Sequence, residues 1–195
     1  MIVMGIESLL PFLKEADRLK SVTRQTLVHS GERVENSAEH AWHLALAVLI
    51  FRKVAPENLD VNKAIKMALL HDIVEIDAGD VFVYDDPGSK EAKESLAIER
   101  LSSLLPAETA AEVSGIWREF EMGESNEAKY VSALDRFLPL YSNYLNKGYS
   151  WKNHGITSDR VIAKNHPPIE QGLAPLWEIA KKMIDESVAE GHLSR

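Results

Sequence analysis

Ala68-Leu69-Leu70-His71-Asp72-Ile73-Val74-Glu75-Ile76-Asp77-Ala78-Gly79-Asp80 is the stretch on which the reading of this chain turns. Its apolar residues recur with helical spacing, and His71, Asp72 and Glu75 interrupt them. An unpaired charge taken out of water costs several kcal/mol, so such groups are tied to a counter-ion, a hydrogen-bond network or a metal. A metal is the economical reading. An imidazole and a carboxylate on adjacent positions lie about 100° apart around a helix, and both reach one cation if the helix meets it obliquely. Glu75 follows one turn after His71 on the same face.

Two further ligands are needed, and the candidates are His40 and Asp135. His40, Leu44, Ala47, Val48 and Phe51 form a core-facing helix stripe in which a histidine stands where leucine would be expected. Asn36 and Glu39 just before it have the spacing of a capping box, which places His40 in the first turn or so of a helix. Asp135 sits between Val131 and Leu138 on the stripe Tyr130, Val131, Leu134, Phe137, Leu138, Tyr141, Leu145, so its carboxylate is also directed inward.

In this order, a histidine, then His-Asp about thirty residues on, then a distant aspartate, the sequence resembles the HD-domain metal-dependent phosphohydrolases. The words Glu35-Asn36-Ser37-Ala38-Glu39-His40 and His71 to Asp80 look most like the small branch containing the bacterial 5′-deoxynucleotidases and their eukaryotic relatives. The match covers roughly residues 17 to 145, and residues 157–195 read as a C-terminal helical extension of one domain spanning 1–195. The resemblance implies an all-α fold, a single HD-domain helical bundle of six to seven helices around a metal site. It implies that His40, His71, Asp72 and Asp135 ligate one divalent transition metal ion, with open positions for water and a phosphate oxygen, as catalytic sites have. Mn²⁺, Co²⁺ or a similar ion is favoured, with Zn²⁺, Fe²⁺ and Ni²⁺ compatible.

By the same resemblance Glu75 positions or activates the attacking water, and Arg24 lies near the substrate phosphate, a task suited to a planar guanidinium. Asp80 contacts the nucleoside part or supports the site, and His40 and His71 border the substrate. Where some relatives carry an aromatic residue shortly after the arginine, this chain reads Gln25-Thr26, in a neighbourhood linked to sugar discrimination. The implied activity is hydrolysis of (deoxy)nucleoside 5′-monophosphates to nucleoside and phosphate, in a homodimer.

Blander readings stand beside these. Glu75 would also serve as a solvated or salt-bridged helix residue, and Gly79-Asp80 as a helix C-terminus with glycine at the left-handed position. His43, one turn from His40, reads as a partly exposed structural histidine, and Arg136 as a surface or interface ion pair. Rival functions are an HD phosphohydrolase acting on a di- or triphosphate or a modified nucleoside, which Arg18, Lys20 and Arg33 would favour if they stood near the pocket, or a weakly catalytic metal- and nucleotide-binding sensor.

Composition narrows the field. With 195 residues the chain suits one well-packed domain. It has no cysteine, which excludes a thiolate nucleophile, a zinc finger and disulfides, and suits a reducing cytoplasm. No apolar run approaches a membrane span, and the start Met1-Ile2-Val3-Met4-Gly5-Ile6-Glu7 lacks signal-peptide features. A net charge of −8, from 30 acidic and 22 basic residues, argues against nucleic-acid backbones as partners. A small anionic nucleotide remains compatible, since a metal and an arginine reverse the local potential. No Walker loop or G-x-G-x-x-G occurs.

Periodicity predicts helices over about 6–20, 37–55, 61–77, 89–104, 107–121, 126–147 and 167–190. Asp60 and Ser125 are expected as caps, Pro106 as a first helical residue, and Gly148 as a terminator. Val81 to Gly88, with Asp85-Asp86-Pro87-Gly88, reads as a turn-rich loop able to cover the pocket. Residues 148–168 read as irregular, stopped by Pro167-Pro168, and either a second lid, a dimer contact or a surface connection. Trp117, Phe120, Trp151 and Trp177 are either interface anchors or core.

Overall fold

The computed structural model describes residues 5–85, 88 and 90–195. Residues 1–4, the Asp86-Pro87 part of the expected turn and Ser89 at the head of an expected helix lie outside the described residues. The stretch expected as one helix over 6–20 is three pieces: a 3-10 turn Ile6–Leu9, α1 Leu10–Ala16 and a 3-10 turn Asp17–Ser21. Pro11 explains the first break, because a residue without an N–H suits the opening of a new helix.

A hairpin follows that the helical reading leaves out. β1 Thr23–Leu27 and β2 Val34–Asn36 pair antiparallel, with Thr23 opposite Asn36 and Leu27 opposite Val34. The turn closes through Gly31, whose φ of 77° favours glycine. The hairpin is tied to the bundle by Asn146 Nδ2, which donates to the Val28 carbonyl at 3.2 Å.

α2 spans Ser37–Phe51 and opens with both halves of the expected capping box, Asn36 with Glu39. α3, Val61–Leu70, is capped by Asp60, whose side chain accepts the Lys63 amide at 3.0 Å. The helix expected to run to 77 ends there. Ile73 and Glu75 donate to Leu70 and Asp72, three residues back, before α4, Glu75–Ala78. The indole of Trp117 donates to the freed His71 carbonyl at 3.2 Å, which satisfies the interruption. In this tightened turn residues three apart eclipse, so Asp72 and Glu75 share a side.

α5 Lys90–Ser102, α6 Ala107–Met122 and α7 Asn126–Leu145 follow. Ser125 caps α7 as expected, while Pro106 stands one residue before α6 rather than at its first position. Residues 148–168 are mostly helical, contrary to expectation: α8 covers Tyr149–Asn153 and α9 covers Ser158–Ala189. Gly148 starts α8 in a left-handed conformation and so separates it from α7. Pro167 and Pro168 lie inside α9 and do not stop it, because Val161, Asn165, Ile169 and Gly172 are buried around them. The bend comes instead at Leu173, in the turn before Pro175, where the ring would press on a preceding carbonyl.

α7 is the axis of the larger apolar cluster, in which Leu44 and Val48 of α2, Met67 of α3, Leu134 of α7 and Leu176 of α9 are buried. Fully burying each such side chain is worth about 1.5–3 kcal/mol. A smaller cluster gathers Leu19, Ile73, Val74, Ile98, Leu101 and Trp117. Trp117, Trp151 and Trp177 are core residues and Phe120 is partly buried. Among the described residues no helix is long and apolar enough to cross a membrane.

Candidate metal centre

Four polar side chains gather at one place. α2 brings His40 to it, the end of α3 brings His71 and Asp72, and the middle of α7 brings Asp135. His40 Nε2 lies 2.8 Å from Asp135 Oδ1. His71 Nε2 lies 3.6 Å from the same oxygen and 3.1 Å from Asp72 Oδ2. His40, His71 and Asp72 each offer a ligand atom within 4.8 Å of the others. The four predicted ligands therefore converge although up to 95 residues separate them.

His71 is oriented as metal-binding histidines are, with one ring nitrogen turned to an acceptor. His71 Nδ1 donates to the Ala68 carbonyl at 2.9 Å, which leaves Nε2 facing the carboxylates without a hydrogen-bond partner. His40 Nδ1 faces Glu35 Oε2 at 3.6 Å, so Nε2 is again the inward nitrogen. Burial opposes a charge on His71, but Asp72 and Asp135 outweigh it and push the imidazole up to about 10. Carboxylates that draw a proton onto Nε2 create the field that draws a cation to the same place. Burial opposes the charge of Asp135, but the hydrogen bond with His40 and the nearby His71 imidazole outweigh it and hold the carboxyl well below the usual carboxylate range. Two neutral imidazoles and two carboxylates fit a divalent first-row ion.

Arg24, on β1, donates from Nη1 to Asp72 Oδ2 at 2.9 Å, with Glu35 Oε2 3.7 Å from Nε and Asp80 Oδ1 4.0 Å from Nη1. Burial disfavours its charge, yet Asp72 and Asp80 raise its pKa further. Glu75 is only 4% exposed and accepts a hydrogen bond from Ser37 Oγ at 2.6 Å. Burial, then the Asp72 charge, pushes its carboxyl up to about 8. Burial raises Asp80 too, against the opposing charge of Arg24. Gly79 ends α4 at φ 77°, so it terminates a helix while Asp80 reaches the site.

Arg24, Asp72, Glu75, Asp80 and Asp135 line a cavity of about 390 Å³, a size typical of small-molecule sites. The segment expected to cover the pocket lines it through Val81 to Asp85. Its Phe82 ring lies 4.5 Å from that of His154, whose Nε2 is 3.1 Å from Gln25 Oε1. Tyr84 is held by Arg160, which donates to its carbonyl at 2.6 Å. Trp151, Lys164 and Asn165, from the region expected to be irregular, complete the far wall.

Some assignments change. Arg136 pairs with Asp135, Nε lying 4.0 Å from Oδ2, and also lines this cavity. Asp135 faces an open cavity rather than a closed core, so the next residue around the helix also reaches it. His43 stands outside the cluster, between His29 and Trp42. Arg18, Lys20 and Arg33 pair with Glu15, Asp17 and Glu39 and do not line the cavity. Ser37 and Glu35 belong to the family-like word ending at His40, but the sequence reading gives neither a role in the site.

A family model described as HD domain matches residues 16–177. The chain is 30% identical over 194 residues to the human 5′-deoxynucleotidase HDDC2, covering 96% of this chain and 94% of that protein. It is 30% identical over 190 residues to the 5′-deoxynucleotidase HDDC2 of Dictyostelium discoideum, covering 89% and 98%. A crystal structure described as a predicted metal-dependent phosphohydrolase from Magnetospirillum magnetotacticum MS-1 superposes with a TM-score of 0.92 at 41% identity, covering 97% and 98%.

Proposed function

The chain belongs to the HD-domain family, and on that premise we propose that it is a metal-dependent phosphohydrolase cleaving (deoxy)nucleoside 5′-monophosphates to nucleoside and phosphate. The observation that carries this reading is the convergence of His40 Nε2 and His71 Nε2 on one Asp135 oxygen, beside a cavity that Glu75 and Arg24 also line. The 5′-deoxynucleotidase relatives, similar over nearly the whole chain, support the substrate class.

His40, His71, Asp72 and Asp135 would hold one divalent ion, Mn²⁺ or Co²⁺ by preference, which when bound polarises a phosphate oxygen and lowers the pKa of water. Glu75, fixed by Ser37, orients the attacking water and accepts its proton. Arg24 holds Asp72 in place and sets positive charge against the phosphoryl group as the bond to the nucleoside breaks. Asp80 borders the substrate. The packing of α9 on α7 supports treating residues 157–195 as part of one domain with the core at 17–145. The exposed Trp42, Leu46 and Ile50 of α2 offer a surface for the expected homodimer. The absence of cysteine suits a cytoplasmic setting.

Metal content and turnover of two variants test the roles. Asp72→Ala should lose both, whereas Glu75→Ala should keep the metal and lose most of the rate. Equal metal loss in the two would contradict the assignment.

A further inference from the structure

Four cations line the cavity: Arg24, Lys90, Arg136 and Lys164. Lys90 lies 3.4 Å from Glu94. Arg24 is bonded to Asp72 at 2.9 Å, with Glu35 and Asp80 also within 4.0 Å, so three carboxylates surround its guanidinium. Among the described residues its one hydrogen bond goes to Asp72, and its buried Nε has no hydrogen-bond partner.

Arg136 is placed differently. It lies on the cavity face of α7 with Ser132, Asp135, Pro139 and Leu140, at the spacing of one helix side. Asp135 turns Oδ1 inward to His40 at 2.8 Å and Oδ2 toward Arg136, whose Nε is 4.0 Å away. Among the described residues Arg136 makes no hydrogen bond, and its side chain is 36% exposed. It also borders an adjoining cavity of about 300 Å³ with Ser132 and Pro168, so the fork is accessible from solvent.

We infer that Arg136 hydrogen-bonds the substrate's phosphate and the departing inorganic phosphate, as a second guanidinium beside Arg24. This inference rests on the phosphohydrolase reading. A guanidinium presents paired donors that match two phosphate oxygens, and one beside Asp135 lies next to the place where the ligands converge. No rearrangement of the Arg24 network is needed to receive the anion.

The test uses Mn²⁺-loaded full-length protein: wild type, Arg136→Gln and Arg136→Lys. KM is measured for a deoxyribonucleoside monophosphate and for p-nitrophenyl phosphate. The inhibition constant of inorganic phosphate is measured with them, its direct binding by calorimetry, and Mn²⁺ affinity by chelator competition. Arg136→Gln should raise KM and weaken phosphate about tenfold or more, with Mn²⁺ affinity unchanged, and Arg136→Lys should recover part of the loss. KM and phosphate affinity within twofold of wild type would overturn the inference, as would a parallel loss of Mn²⁺. Wild type that hydrolyses neither ester yet binds phosphate through Arg136 would overturn the hydrolase reading and leave the anion site standing.

Discussion

The hydroxyl of Ser37, at the first position of α2, donates to the buried carboxyl of Glu75, at the first position of α4, across 2.6 Å. That bond carries a prediction about rate without a change in metal. Ser37→Ala removes the one donor hydroxyl on a carboxyl that burial has already pushed up to about 8. An unsatisfied buried acceptor costs about 1–3 kcal/mol, so kcat should fall about tenfold, with metal content and KM near wild type. Steady-state kinetics with elemental analysis checks this, and loss of metal in the variant would contradict it.

Removing the metal should destabilise the fold reversibly. Without a cation, Asp72 and Asp135 are left facing the two imidazoles. Ligand at a hundred times its Kd adds about 2.7 kcal/mol, and each kcal/mol moves Tm by about 2–4 °C in a chain of this size. Chelation should lower Tm by about 5–10 °C, Mn²⁺ should restore it, and Asp72→Ala should show no such shift.

Glu127 gives a pH-dependent prediction away from the centre. Burial opposes its ionisation, but the Asp60 amide at 2.9 Å and Lys63 Nζ at 3.1 Å outweigh that, and its pKa lies below the usual value. A lowered folded pKa gives stability that is present above the unfolded value, about 4.3, and is lost as pH falls through the folded value. Glu127→Gln should therefore destabilise by about 1–2 kcal/mol at pH 7, with the gap to wild type closing as pH falls below about 4. Denaturant titrations across pH measure it, and a gap that persists in acid would refute it.

Gly172 marks the close approach of α9 to α7. A β-carbon there would fall on the Lys129 carbonyl and crowd Ala133. Gly172→Ala should cost about 1–3 kcal/mol or more by overpacking, read as a lower Tm, whereas Gly115→Ala, which meets open space, should not.

What the sequence revealed and what it hid follow from the range of the signal. His40 and Asp135 stood out because charge on an apolar helix stripe is a local anomaly, and the Asn36–Glu39 cap is written within four residues. The Ser37–Glu75 bond has no such trace, because the partners are 38 positions apart and serine before a helix already reads as ordinary. The interruption after Leu70 was invisible because it depends on Trp117 reaching the His71 carbonyl from another helix. Pro167 and Pro168 were read as a stop by local rules, and the burial of Ile169 and Gly172 against α7 overrode them. The hairpin was masked by its shortness, although Gly31 and the β-branched residues around Thr26 were present.

The most direct test of the account is phosphate release from a panel of ribo- and deoxyribonucleoside mono-, di- and triphosphates by metal-stripped protein resupplied with Mn²⁺, Co²⁺, Zn²⁺ or Mg²⁺. Asp72→Ala controls for contamination. The account predicts metal-dependent turnover of the nucleoside 5′-monophosphates, absent from the control. Release from di- or triphosphates alone, or no release with metal bound, would contradict it.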